Sequence, residues 1–148
     1  MRKYFWEIDT DKYKNYNIII DIDGTLCAEG ESLIGEREKR AVNLLKKNNL
    51  IYIFSNNPDK IRSRDIADQV ECKYLEAPHK KPCKKIINYL PKSNQPILII
   101  GDKFLTDIIF ARRIKADYIL VESLRSDNDR FLVRIFNFVD DFIVKVMK

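Results

Sequence analysis

The sequence predicts an α/β protein: a three-layer α/β/α Rossmann-like domain built on a central parallel sheet of five strands. Three observations carry this. Apolar runs of about four residues alternate with segments of helical period. The links between them are short and polar. The runs are apolar at consecutive positions, as strands covered on both faces must be.

Residues 18–21, with Ile18, Ile19 and Ile20, read as a buried first strand. Over 36–47, Ala41, Val42, Leu44 and Leu45 fall at helical spacing, and Lys46-Lys47-Asn48-Asn49 makes a fitting C-terminus. Residues 50–54 form the second strand. Asn57-Pro58 offers an N-cap followed by proline at the first helical position, starting a helix that runs to about Gln69. Residues 72–75 are a short third strand, 82–90 a third helix, and 91–96 a proline-bounded loop. Then come a strand over 97–100, a helix over 104–114 and a fifth strand over 118–121. Ser126 or Asp127 caps a last helix to about Met147. No repeat, low-complexity stretch or linker divides the chain, so residues 1–148 read as one domain with a helical C-terminal segment over about 127–147.

Composition narrows the setting. A formal charge of +5 favours an anionic partner and leaves nucleic acid, phospholipid and phosphorylated metabolite all open. Cys27, Cys72 and Cys83 form an odd, unpatterned set, which argues against a disulfide framework and for a reducing compartment. Cys72, His79 and Cys83 lack the paired spacing of a zinc site. Glu7, Asp9 and Asp11 interrupt the N-terminal region, where neither a signal core nor a transit peptide is expected. No apolar run approaches the ~18–20 residues needed to span a bilayer. The expected location is cytoplasmic, with peripheral contact at a membrane surface left open.

In such sheets ligands bind beyond the carboxyl ends of the strands. Asp21 and Asp23 follow the first strand, Ser55 and Asn56 the second, and Lys81 the third. Asp102 follows the fourth, within Gly101-Asp102-Lys103-Phe104-Leu105-Thr106-Asp107. Two carboxylates spaced i, i+2 point the same way before the chain turns at Gly24. Such a pair suits a site where one carboxylate attacks phosphorus and the other handles protons. Singly, each residue has a plainer reading: turn residue, helix cap or solvated charge. Four strand ends carrying them in this order outweigh that reading.

The chain resembles the haloacid-dehalogenase-like (HAD) phosphohydrolases in Asp21-Ile22-Asp23-Gly24-Thr25, Ser55, Lys81 and Gly101-Asp102-x4-Asp107. The resemblance implies an aspartyl-phosphate mechanism with Asp21 as nucleophile and Asp23 as general acid and base. It implies Mg²⁺ held by Asp21, the Asp23 carbonyl and Asp102. Ser55, the Asn56 N–H and Lys81 would hold the phosphoryl oxygens. Asp107 would stand behind the metal water or Lys81, and Thr25 would fix the motif loop beside the phosphate through its hydroxyl. Neither the interval from Thr25 to Ser55 nor that from Ser55 to Lys81 has room for the cap domain that usually selects substrate in this family. An open site suits a large substrate.

Within the family, Ser55-Asn56-Asn57, Lys81-Pro82 and Thr106-Asp107 are similar to the capless subfamily IIIA, the YqeG-like and phosphatidylglycerophosphate phosphatase-like branch. This implies a phosphomonoesterase acting on phosphatidylglycerophosphate. Nucleic-acid ends, phosphoproteins and small phosphometabolites are the alternative substrates. A basic RNA- or ribosome-associated binding protein on the same scaffold is the alternative of another class. It is disfavoured because no catalytic position is degraded and no aromatic–basic platform is present.

In the tail, Phe131, Leu132, Ile135, Phe138, Val139, Phe142, Ile143 and Val146 recur at helical spacing. The commoner role of such a stripe is packing on the sheet; the other is an interfacial helix on anionic lipid. Asp140-Asp141 count against the second.

Overall fold

A computed structural model describes residues 1–126 and the backbone of 131–146, with the side chains of Ile135 and of 138–146. Five strands make one all-parallel sheet: β1 (Asn17–Ile20), β2 (Leu50–Ile53), β3 (Lys73–Tyr74), β4 (Ile97–Gly101) and β5 (Asp117–Leu120). Their spatial order is β3-β2-β1-β4-β5. The connection therefore reverses direction beside β1, which is where an open α/β sheet leaves a crevice.

Helices cover both faces. On one, α1 (Glu36–Lys46) and α2 (Lys60–Gln69) pack Ala41, Val42, Leu45, Ile66 and Ala67 against Ile18, Ile20, Ile53, Leu98 and Ile100. Phe5, from an N-terminal 3-10 turn, joins this core. On the other, a 3-10 segment (Lys84–Tyr89) and α3 (Ile109–Ile114) bring Ile86, Phe110 and Ala111 onto Ile19, Tyr52 and Ile99. Ile18, Ile19 and Ile20 are each no more than 1% exposed, so consecutive residues serve opposite faces. Each such side chain contributes about 1.5–3 kcal/mol of burial.

Register positions the site. Ile20 of β1 is level with Ile53 of β2 and with Ile100 of β4. The three central strands thus end together, and the Asp21 N–H still donates to the Ile100 carbonyl at 2.9 Å. The loops leaving these strands converge on one edge of the sheet.

Three elements differ from expectation, and the expected ends of a fourth lie outside the described residues. Helix α2 begins at Lys60, because Asp59 and not Asn57 is its N-cap: the Asp59 carboxylate accepts the Arg62 N–H at 3.0 Å. Asn57 instead accepts the Asp59 N–H at 2.9 Å, closing a turn around Pro58. The helix expected over 82–90 is the 3-10 segment alone. It has no side-chain cap, it carries the β-branched pair Ile86-Ile87, and Pro91 bounds it. The helix expected over 104–114 opens with a wide turn over Phe104–Ile108, in which the Ile109 N–H reaches back to the Phe104 carbonyl, before α3 begins. The last helix, α4, spans Phe131–Val146; its expected start over 127–130 and its end at Met147 lie outside the described residues.

Candidate active site

The cleft at the carboxyl edge has a volume of about 240 Å³ and is lined by Asp21, Asp23, Glu29, Ser55, Asn56, Asn57, Pro58, Lys81, Lys103 and Thr106. Its centre is a buried ion-pair relay. The Lys81 ammonium donates to Asp21 Oδ1 at 2.7 Å and to Asp107 Oδ1 at 2.5 Å. All three residues are at most 7% exposed. Burial alone would lower the Lys81 pKa, but Asp107 and Asp21 more than reverse this and hold it above the ordinary lysine range. Asn56 fixes Lys81 from behind: its amide donates to the Lys81 carbonyl at 2.9 Å and accepts the Lys81 N–H at 2.7 Å.

Asp21, Asp102 and Asp107 each place a carboxylate oxygen within 4.8 Å of the others. Burial pushes the Asp102 carboxyl up to about 8, against the pull of Lys103, and the Asp21 carboxyl up to about 6, against the pull of Lys81. For Lys103, burial lowers the pKa, while Asp102 and Asp21 outweigh it and raise it. Asp102 accepts the Ser123 hydroxyl through Oδ2 at 2.7 Å, while its buried Oδ1 has no hydrogen-bond partner among the described residues. A buried carboxylate oxygen without a donor is costly, and an all-oxygen donor set suits a hard cation such as Mg²⁺. These residues fit that ion.

Two glycines make the approach possible. Gly24 sits at φ +85°, where a side chain is strained, and a Cβ there would lie 2.2 Å from Asp102 Oδ2. A Cβ on Gly101 would lie 2.2 Å from the Asp107 carboxyl carbon.

Asp23 sits on the cleft wall. Its carboxylate accepts Arg62 at 2.7 and 3.3 Å, the Gly30 N–H at 3.2 Å and the Ser55 hydroxyl at 3.3 Å. Ser55 Oγ in turn accepts the Asn57 N–H at 3.0 Å. Thr25 departs from expectation. It is fully buried, it is not among the cleft-lining residues, and its hydroxyl has no hydrogen-bond partner among the described residues. The loop is held by backbone bonds instead, among them Gly24 N–H to the Cys27 carbonyl at 2.7 Å and Leu26 N–H to the Ile22 carbonyl at 2.9 Å.

Three contributors are not evident from the sequence: Arg62, Ser123 and Asp140. Arg62 carries a readable signal, since it occupies the same helix stripe as Ile66, a register that faces the core. Ser123 lies beyond the last strand and carries no comparable signal.

A parallel sheet here delivers a carboxylate, a buried lysine and an acidic cluster to one open cleft, an arrangement that suits phosphoryl transfer. The chain is a member of the family described as mitochondrial PGP phosphatase, whose family model matches residues 3–123. That span contains every site residue named above except Asp140. No curated protein and no solved structure matches the chain.

Proposed function

We propose that this phosphatase hydrolyses the terminal phosphomonoester of phosphatidylglycerophosphate by a HAD-type mechanism, through an aspartyl-phosphate on Asp21. The observation that carries the reading is the Asp21–Lys81–Asp107 relay beside the unpartnered Asp102 oxygen; membership of the PGP phosphatase family supports the lipid substrate.

Asp21 attacks phosphorus while the Lys81 ammonium, the Ser55 hydroxyl and the Asn56 N–H hold the phosphoryl oxygens, so catalysis is mostly positioning and charge stabilisation. Asp23 gives its proton to the leaving glycerol oxygen and then takes one from the water that cleaves the acyl phosphate. Mg²⁺, held by Asp21, Asp102 and the Asp23 carbonyl, would neutralise charge between the attacking carboxylate and the phosphate. Asp107 keeps Lys81 charged and in place.

Purified protein is expected to release phosphate from phosphatidylglycerophosphate in mixed micelles with Mg²⁺, and Asp21→Asn to abolish the release. Rapid turnover of sugar phosphates or nucleotides with none of the lipid would refute the substrate and keep the phosphatase.

A further inference from the structure

We infer that the outward apolar face of α4 is a docking surface for an anionic bilayer, mounted on the wall of the phosphate cleft. The inference rests on the lipid reading above for its choice of partner. Ile135, Phe138, Val139, Phe142 and Val146 are 43, 72, 40, 59 and 68% exposed. At the helical repeat they fall within an arc of about 100°. A stripe of this composition ordinarily faces a core. Here it faces out.

The two aspartates explain the orientation. Asp140 lies on the opposite side of the helix from the stripe and is buried; it accepts the N–H groups of Phe104 and Leu105 at 2.8 and 3.0 Å. Asp141 accepts Arg2 at 3.4 Å and Arg125 at 2.6 Å. The carboxylates that argued against a lipid-facing helix are thus turned to the protein. Arg2 and Arg125 both pair with the Asp141 carboxylate, and exposed Lys145 borders the stripe.

Position favours a bilayer over other occupants. Phe104 and Leu105 belong to the turn whose neighbours, Lys103 and Thr106, line the cleft. The helix is therefore fastened beside the opening through which a lipid phosphate must enter. No described helix is long and apolar enough to cross a membrane. A helix with an apolar stripe and a basic border lies in the interface plane, its aromatic residues among the acyl chains and its cations at anionic headgroups.

The test is flotation of the full chain with vesicles of equal parts phosphatidylcholine and phosphatidylglycerol, comparing wild type with Phe138→Asp/Phe142→Asp. Wild type is expected to float, less so at high salt, and the variant to partition about tenfold more weakly or worse. Hydrolysis of p-nitrophenyl phosphate should be equal in the two. In a second variant, Phe142→Trp, emission should shift to shorter wavelength on adding these vesicles, relative to wild type carrying Trp6 alone. Equal flotation of variant and wild type overturns the inference, as does an unshifted emission. So does a wild-type dimer that the double substitution splits, which would assign the face to a second copy. Flotation needs no turnover, so a protein that floats yet releases no phosphate refutes the phosphatase reading and leaves the docking face standing.

Discussion

Arg62 grips Asp23 at two points, 2.7 and 3.3 Å, with both side chains buried. The same guanidinium also donates to the Glu31 carbonyl, so α2 ties the expected proton donor to the loop beyond the motif. A planar fork aims a carboxylate in a way that a point charge does not.

Arg62→Lys is therefore expected to lower kcat about tenfold with little change in KM, because the charge survives and the aim does not. Arg62→Ala leaves Asp23 buried without its partner and should cost about 3–5 kcal/mol of stability by urea unfolding. An Arg62→Lys enzyme with wild-type kcat would show that Asp23 needs no such aim.

Lys81 neutralises two carboxylates where water cannot. Lys81→Met should lower kcat by about two to three orders of magnitude, as for loss of one charge-stabilising donor. It should also destabilise the fold by about 3–5 kcal/mol. Steady-state kinetics and urea unfolding check both; loss of activity at full stability would mean that Asp21 and Asp107 find other partners.

Much of this is legible in the sequence for a specific reason. The strands are buried on both faces, so their ends show as abrupt changes from apolar residues to carboxylates, at Ile20-Asp21 and Gly101-Asp102. Parallel pairing with Ile20, Ile53 and Ile100 in one register then brings those ends together. Arg62 shows only as a residue on the core-facing stripe of its helix, and Ser123 and Asp140 act from elements whose angle and distance no spacing encodes. The 82–90 segment is not an α-helix because apolar periodicity there reports burial of Ile86 and Leu90, and a 3-10 path buries them equally well. The orientation of α4 is opaque in the sequence because it depends on where Asp140 finds donors, in a turn 35 residues away.

The Ser123 hydroxyl holds the Asp102 carboxylate at 2.7 Å. Ser123→Ala should weaken Mg²⁺ activation by about 10–100-fold, the usual cost of removing a partner that orients a metal ligand. Titration of activity against Mg²⁺ measures it, and an unchanged midpoint would place the ion away from Asp102.

Burial raises Asp102 to about 8 and Asp21 to about 6 from 3.8. Without a cation the folded chain therefore binds more protons than the unfolded chain between those values. This contribution to stability is fully present below pH 3.8 and is lost as pH rises through about 6 and then about 8. Mg²⁺ takes only the deprotonated carboxylates, so it should raise Tm more at about pH 8.5 than at about pH 5.5. Thermal melts with and without Mg²⁺ at both values test this; a larger effect at the acid value would contradict it.

Passage of phosphate through Asp21 is the step on which the proposed chemistry turns. The most direct test is the stereochemical course of hydrolysis for a thiophosphate analogue of the substrate made chiral at phosphorus with oxygen isotopes. Two successive in-line displacements, first by Asp21 and then by water, predict retention of configuration. Inversion would mean that water attacks the substrate directly and would contradict the aspartyl-phosphate.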